Sequence, residues 1–210
     1  MIHEVDEALR RLVRDEALNG STVEVSLEAP TKEWASRRNA PTVDMYLYDI
    51  REDVRRRQRG TISDHDAEGI VVGRRQPPRY MKLSYLLSAW TQRPEDEHRL
   101  LSVLLAGLLC WEAVPARLIG GSLAALGLPV PLTVALPPPE DRSFADVWTA
   151  LGGELKPSLD VVVSAPIEPA GPVPVGPPVT AGLAVDVAGE RTGHLVLVDE
   201  RRVAIRRMRR

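Results

Sequence analysis

The residues of this chain that could do chemistry are few and scattered. Asp64, His65 and Asp66 are consecutive, and each carries a side chain that can bind a metal ion. Neighbouring side chains of an extended segment point to opposite sides, so a metal site would need ligands from distant parts of the chain. The other histidines lie far apart in the sequence. We therefore interpret this run as a solvated loop and predict no metal site.

Motifs for catalysis or cofactor binding are also missing from the sequence. Asp44 and Asp49 flank an apolar stretch, but no neighbouring motif suggests that they form an acid/base pair. We find no phosphate-binding loop, no dinucleotide fingerprint and no nucleophile elbow. No residue set combines a nucleophile, a base and oxyanion donors. The sequence therefore predicts a protein that is not an enzyme and needs no cofactor.

Arginine clusters are the main charged features. Of the 27 basic residues, only Lys32, Lys82 and Lys156 are lysines. Guanidinium groups suit planar, bidentate contacts at interfaces, although genome base composition explains the same bias. One cluster spans residues 51–59, and six arginines fall in residues 201–210. We take as candidate interface residues Arg55, Arg56, Arg57, Arg206 and Arg207.

Composition narrows the class of protein further. With 210 residues and 44% hydrophobic residues, the chain can form one domain and a small appendage. The formal charge of −2 gives no reason to expect bulk affinity for nucleic acid or membrane. The single cysteine, Cys110, rules out an internal disulfide and fits a reducing cytoplasm. The start of the chain lacks the features of a signal peptide. The longest apolar run, residues 100–114, is shorter than the roughly 20 residues that cross a bilayer, so we predict no membrane insertion.

Hydrophobic periodicity predicts an α+β fold, in which the elements alternate along the first 164 residues. A helix is expected from Ile2 to about Asn19, and Tyr85 and Trp90 lie in a strand followed by a helix that starts at Pro94. This helix is apolar nearly all round after Leu100, which predicts that most of its sides are covered. Five strands are expected, at residues 22–28, 42–50, 80–90, 130–136 and 159–164. Val23 and Val25 lie on one face of the first strand, and the second strand should be covered on both faces.

The C-terminal part differs in composition. Six of the fourteen residues from Ala165 to Pro178 are prolines, which predicts an extended linker that cannot continue a sheet. Three short apolar pieces within residues 179–210 predict a small β-rich, arginine-rich appendage. The expected domains are therefore residues 1–164, a linker at 165–178 and an appendage at 179–210.

Taken in order, the sequence motifs resemble one known family. They are the N-terminal amphipathic helix, PTVDMYLYD, the pair Arg55-Arg56, PPRYMKLSYLLSAW, the helix start EHRLL and the segment WTALGGELKPSLDVVVSAPI. The chain resembles the terminator or cap proteins of phage-tail-like contractile injection systems over about residues 1–165. The resemblance implies a fold similar to phage tail terminators: a mixed, largely antiparallel sheet with packed helices.

The resemblance also implies a structural function. Proteins of this family form a six-membered ring at the baseplate-distal end of the particle, where the ring stops growth of the inner tube and joins tube to sheath. The expected partners are further copies of the chain, the tube protein and the sheath protein, with no nucleic acid. The expected location is the cytoplasm, within an assembled particle.

The sequence suggests which surfaces could make these contacts. Either the sheet edge near Val23 and Val25 or the loop 60–75 would meet a neighbour or the tube, and the 51–59 cluster would steer ring or sheath contacts. The main alternative is a small nucleic-acid-binding or regulatory module that uses the arginine clusters. Glu52 and Asp53 dilute the first cluster, and aromatic residues are not interleaved with it.

Overall fold

The structure is a computed structural model that describes residues 1–137, 143–169, 171 and 173–176, and the backbone of residues 183–185, 194–199 and 202–207. Contacts between Cα atoms divide the chain into two compact units. The first unit comprises Met1–Gly60 and Gln76–Gly171, and the second comprises Thr61–Arg75 and Pro172–Arg210. The domain bounds expected from the sequence stay a prediction.

The described helices belong to the first unit and the described strands to both. The helices are α1 (Ile2–Arg11, continued by a π-helix at Leu12–Ala17), α2 (Lys32–Ser36), α3 (Pro94–Leu108), α4 (Gly121–Ala125) and α5 (Phe144–Ala150), with 3₁₀ turns at Val54–Arg56 and Ala116–Leu118. The strands are β1 (Glu24–Ser26), β2 (Thr42–Glu52), β3 (Ile62–His65), β4 (Val71–Arg75), β5 (Arg79–Trp90), β6 (Leu132–Val134), β7 (Ser158–Ile167), β8 (Val173–Pro174), β9 (Leu183–Val185), β10 (His194–Asp199) and β11 (Arg202–Arg207).

A five-stranded sheet forms the centre of the first unit. Its strand order is β1-β2-β5-β7-β6, in which β1 is parallel to β2 and the other pairs are antiparallel. The short strands β1 and β6 form the two edges, while the long strands β2, β5 and β7 lie inside. This mixed, largely antiparallel sheet with packed helices confirms the predicted fold class.

The main core lies on the sheet face that carries Leu83, Tyr85 and Leu87. Apolar side chains of α1 and its extension pack there, and Leu9 and Leu12 are fully buried, as the helical period predicted. Helix α3 contributes Leu104 and Leu108 to the same core. The predicted helix end is confirmed, since Asn19 and Gly20 both have positive φ.

A smaller aromatic cluster covers part of the opposite face. Trp34 of α2 contacts Trp90 edge-on, with ring centroids 5.3 Å apart, and Trp148 of α5 lies 6.2 Å from Trp90. Helix α2 was not predicted, although its signal is present: Thr31 caps it by accepting a hydrogen bond from the Trp34 amide at 3.2 Å. The cluster leaves the other end of this face uncovered.

Two strands depart from the sequence prediction. A register shift between Leu47 and Asp49 places Ile50 opposite Leu83, on the side of Met45, whereas strict alternation placed it on the other side. Strand β7 runs three residues past position 164, so the prediction that the proline-rich segment cannot continue a sheet was wrong at its start. Pro166 pairs with β5 and lies three residues beyond Val163, the last residue of β7 that pairs with β6. Its missing N–H therefore interrupts no hydrogen bonds between β7 and β6.

Tyr85 of β5 is fully buried, and its hydroxyl donates to Asp6 at 2.6 Å. One expectation about burial was wrong. Helix α3 is not covered on most sides, because Val103 is 47% and Leu109 is 62% exposed. Its apolar sequence exceeds what one face of one sheet can bury.

The second unit consists of two small sheets in its described part. Strands β3 and β4 form a hairpin within the segment 60–75, and β8 pairs with β4 through Gly73 and Arg74. Pro174 of the expected linker therefore takes part in a short edge strand. Strands β9, β10 and β11 form an antiparallel sheet from the three apolar pieces.

Candidate protein interface

A groove of about 710 Å³ lies over the uncovered end of the second sheet face. It is open because the aromatic cluster covers only the end near Trp90. We call it the basic groove, after its rim of cationic side chains. Its charged lining residues are Arg51, Glu52, Asp53, Arg55, Arg56, Lys82 and Asp160.

The acids at the base of the groove are bound within the protein. Asp53 is only 5% exposed, and its carboxylate accepts a hydrogen bond from the Ser164 hydroxyl at 3.1 Å. Asp160 is also buried and accepts a hydrogen bond from the Tyr48 hydroxyl at 2.9 Å. A buried carboxylate needs such partners to remain charged. These acids therefore support the local structure, and the rim determines what the groove can bind.

The three predicted arginines of the 3₁₀ turn differ in role. Arg57 forms a bidentate ion pair with Glu52. Its Nε donates a hydrogen bond to one carboxylate oxygen at 2.7 Å, and a terminal guanidinium nitrogen donates to the other. The hydrogen bond from Arg57 lowers the pKa of Glu52, and the same contact raises the pKa of Arg57. Arg79 lies 3.7 Å from the same carboxylate. Arg57 is thus engaged within its own chain.

Arg56 is engaged as well, whereas Arg55 has no ion-pair partner among the described residues. The Nε atom of Arg56 lies 3.4 Å from the Asp53 carboxylate, and its guanidinium stacks over the Tyr80 ring at 5.5 Å. Arg55 is exposed, lines the groove and makes no ion pair with any residue that the structure describes. Of the predicted cluster, Arg55 is therefore the side chain best placed to meet an external carboxylate.

Val25 lies on the edge strand β1, and Val23 directly precedes that strand. Both side chains are half-buried and pack against the main core, Ser26 is buried, and Glu24 is the exposed side chain of the strand. Arg38 bridges Glu24 and Glu28 at 2.9 and 3.1 Å, which places charge along this short edge. Such charges are typical of edges that resist uncontrolled strand pairing.

Arg206 and Arg207 lie on β11, opposite Leu195 and His194 of β10. The structure describes the backbone here, so the role predicted for their side chains stays a prediction.

Asp44 and Asp49 do not form an acid/base pair. Asp44 is fully buried on β2 beside the aromatic cluster, whereas Asp49 lies beyond the β-bulge and pairs with Arg51 at 3.0 Å. Burial raises the pKa of Asp44 to about 8, and neither carboxylate oxygen has a hydrogen-bond partner among the described residues. The register shift places both residues on the same sheet face, opposite Ser88 and Ser84, but they are five residues apart along β2, roughly 16 Å of extended chain.

The Asp-His-Asp run has a structural explanation in the β3–β4 hairpin. Asp64 pairs with Arg75 at 3.1 Å, and Asp66 accepts backbone hydrogen bonds from Glu68 and Ile70 that shape the turn. Within the described ranges, no group of three His, Cys, Asp or Glu side chains could hold a metal ion. None of the helices described is both long and apolar enough to cross a bilayer.

Sequence reasoning missed several residues of the groove. Lys82 comes from β5 and lies 3.9 Å from Asp53, and Ser164 comes from β7. Nothing in the local sequence links these residues, since they are brought together by the antiparallel register that pairs them across the two strands. The only local signal was polar residues alternating with buried ones along β5.

The fold is similar to those of two terminal proteins of contractile particles. The first is the sheath/tube terminator of PVC, an extracellular contractile injection system, in its extended state, with a TM-score of 0.65 and 21% identity over 91% of this chain. The second is the tube-terminating cap of the anti-feeding prophage, with a TM-score of 0.58 and 20% identity over 86% of this chain. The matches cover 64% and 60% of those proteins, so this chain spans less than two thirds of either. No curated protein sequence matches the chain.

The sequence itself identifies the family. The family described as the Pvc16 N-terminal domain matches residues 4–181, which is most of the chain. The chain therefore belongs to the Pvc16 N-terminal domain family. This match confirms the resemblance that the order of the sequence motifs predicted.

Proposed function

We propose that this protein is a structural cap of a contractile injection particle. It would form a ring of six copies at the baseplate-distal end of the particle. This ring would stop growth of the inner tube and link the tube to the sheath. The observation that carries the proposal is the family match over residues 4–181. Two solved structures of the same fold, described as a sheath/tube terminator and a tube-terminating cap, support it.

The surface of the first unit suits such a role. A ring subunit needs two different surfaces that meet head to tail, and the unit offers opposite sheet edges at β1 and β6. Arg55 is exposed at the basic groove and offers a cationic contact for an acidic patch on a neighbour, tube or sheath subunit. We infer that the protein acts in the cytoplasm where the particle assembles.

Particles made with and without this protein test the role directly. We expect tubes to be overlong, and sheaths to be detached from them, when the gene is deleted, and wild-type protein to restore a narrow length distribution in electron micrographs. Native mass spectrometry of the assembled cap should give six copies. Tubes of unchanged length and unchanged sheath attachment in the deletion strain would refute the proposal.

Arg55 can be separated from its neighbours by single substitutions. Arg55→Glu should reduce capping without changing thermal stability, because Arg55 makes no ion pair in the described part of the chain. Arg37→Glu is the matched control, since Arg37 is an exposed arginine outside the groove. Equal capping by the two variants would remove Arg55 from the interface. A triple substitution that includes Arg56 and Arg57 would also break the contacts to Asp53 and Glu52.

The nucleic-acid alternative predicts a different result. Binding through phosphate contacts falls steeply as salt rises. If the wild-type protein binds an oligonucleotide at physiological salt and Arg55→Glu does not, that result would favour the nucleic-acid alternative over capping.

A further inference from the structure

The outward face of α3 carries apolar side chains that nothing in the described first unit covers. Exposed residues recur along it at spacings of three and four, which places them on one side of the helix. We call this row the α3 seam: Asp96, Arg99, Val103, Ala106 and Cys110. Leu109, which is 62% exposed, lies beside its C-terminal end.

A groove of about 630 Å³ adjoins the N-terminal half of the seam. Its apolar lining includes Trp90, Leu100 and Val103, together with Val23, which directly precedes β1. The apolar surface thus continues from the seam into a concave site, which is the usual form of a docking surface for an amphipathic segment.

Two arginines of this groove can meet a partner. Arg38 also lines it but is paired with Glu24 and Glu28 of its own chain, which leaves Arg93 and Arg99 beside one lining acid, Asp96. Arg99 is 81% exposed and lies 3.4 Å from Asp96, and Arg93 makes no ion pair within the described residues. Two copies that met through this surface would bring like charges together, whereas a partner with acidic side chains would complement them.

We propose that the α3 seam and its groove bind an acidic amphipathic helix of a partner protein. The aliphatic side of that helix packs on Val103 and Leu109, and its carboxylates pair with Arg93 and Arg99. The small side chain of Ala106 at the middle of the seam lets the two helix axes approach closely. The inference does not rest on the proposed capping role, because it concerns the chemistry of this surface alone.

A designed peptide tests the surface in the full-length protein. The probe is a fluorescent helix of about 18 residues, long enough to be helical, with leucines along one side and glutamates at one end. Its control carries lysines in place of the glutamates. In fluorescence anisotropy, the acidic peptide should bind at least about tenfold more tightly than the basic one.

Variants of the protein then locate the contact. Val103→Glu, and Arg93→Glu combined with Arg99→Glu, should each weaken binding of the acidic peptide by about tenfold or more. Leu155→Glu and Arg74→Glu replace other exposed residues and should leave it unchanged. Equal affinities for wild type and the seam variants would overturn the proposal.

Cys110 gives a second measurement that needs no substitution. As the only cysteine of the chain and an exposed one, it should react with iodoacetamide several-fold more slowly when the acidic peptide is bound. An unchanged rate would place the peptide elsewhere and overturn the proposal. Three other results would also overturn the proposal. The first is self-association that Val103→Glu abolishes while peptide binding stays intact. The others are binding of a short oligonucleotide at the seam and binding of anionic vesicles at the seam.

Discussion

At the scale of single residues, Asp44 is the clearest source of pH-dependent stability. It is fully buried, and burial raises its pKa from 3.8 to about 8. Because the folded-state pKa lies above the unfolded one, the folded protein holds this proton while the unfolded chain releases it. The free energy of unfolding therefore falls as the pH rises from about 4 to about 8 through this group.

Asp44→Asn should remove that dependence. We expect it to match wild type near pH 4 and to be more stable by several kcal/mol at pH 8, because an amide carries no charge to desolvate. Urea unfolding at several pH values measures this. Asp15→Asn, at an exposed position, is the control and should change little. Parallel pH profiles for Asp44→Asn and wild type would contradict the expectation.

Glu4 has the opposite effect. Burial disfavours its charge, but hydrogen bonds from the Ser122 and Leu123 amides and the Ser122 hydroxyl outweigh this and lower its pKa from 4.5 to about 2. Its contribution is therefore fully present above the unfolded pKa and is lost as the pH falls from about 4.5 to about 2. The carboxylate links α1 to the start of α4.

Glu4→Gln should lower the free energy of unfolding at pH 7 by about 1–3 kcal/mol, because the amide accepts these hydrogen bonds less strongly. The difference from wild type should shrink as the pH approaches 2. Glu7→Gln is the control, since Glu7 makes only surface pairs with Arg10 and Arg11. A loss of stability that is the same at pH 3 and pH 7 would mean that charge is not the cause.

At the scale of elements, Gly107 sets the distance between α3 and the π-helical end of α1. A Cβ atom at this position would lie 2.6 Å from the Ala17 Cα, which is backbone and cannot rotate away. Helix propensity alone would make Gly107→Ala more stable by about 1 kcal/mol. We expect the reverse, a loss of about 1–3 kcal/mol from overpacking.

Thermal unfolding distinguishes the two effects by sign. Ala106→Gly, the adjacent and exposed position, should cost about 1 kcal/mol through propensity and serves as the control. A higher melting temperature for Gly107→Ala would show that the two helices can separate at no cost.

At the scale of the whole molecule, the end of β7 determines where the chain can be shortened. The buried residues of the main core run from Val5 to Ala165, and Ala165 itself is fully buried opposite Met81. A chain ending at Gly171 keeps this core, whereas one ending at Ser164 loses the last three residues of the strand. We expect the first truncation to unfold with nearly the wild-type transition of the first unit, and the second to lose several °C.

Circular dichroism during heating compares the two truncations. If the chain ending at Gly171 were as destabilised as the one ending at Ser164, the second unit would support the first. Capping assays with the stable truncation then test whether the C-terminal part contributes to docking, as the sequence suggested.

How far the sequence predicted the site depends on the range of the contact. Asn19-Gly20 and Pro94 act within a few residues, and the predicted ends of their helices are confirmed. The bulge after Leu47 is not visible in the alternation of residues, so the side on which Ile50 lies was predicted wrongly. Lys82 and Ser164 meet only through strand register, and no local pattern indicates that they border the same groove.

By itself, the sequence determined most of the secondary elements, the α+β class and the family, because periodicity, capping and motif order are local or linear properties of the chain. Only the tertiary structure decided that, among the described residues, Arg56 and Arg57 are engaged internally while Arg55 has no ion pair, and that Val103 of α3 stays half-exposed. The physical reason is that ion pairing and burial depend on which distant side chains the sheet register brings within a few ångströms. A sequence pattern specifies how much apolar surface must be covered, but the packing specifies which surface is left for a partner.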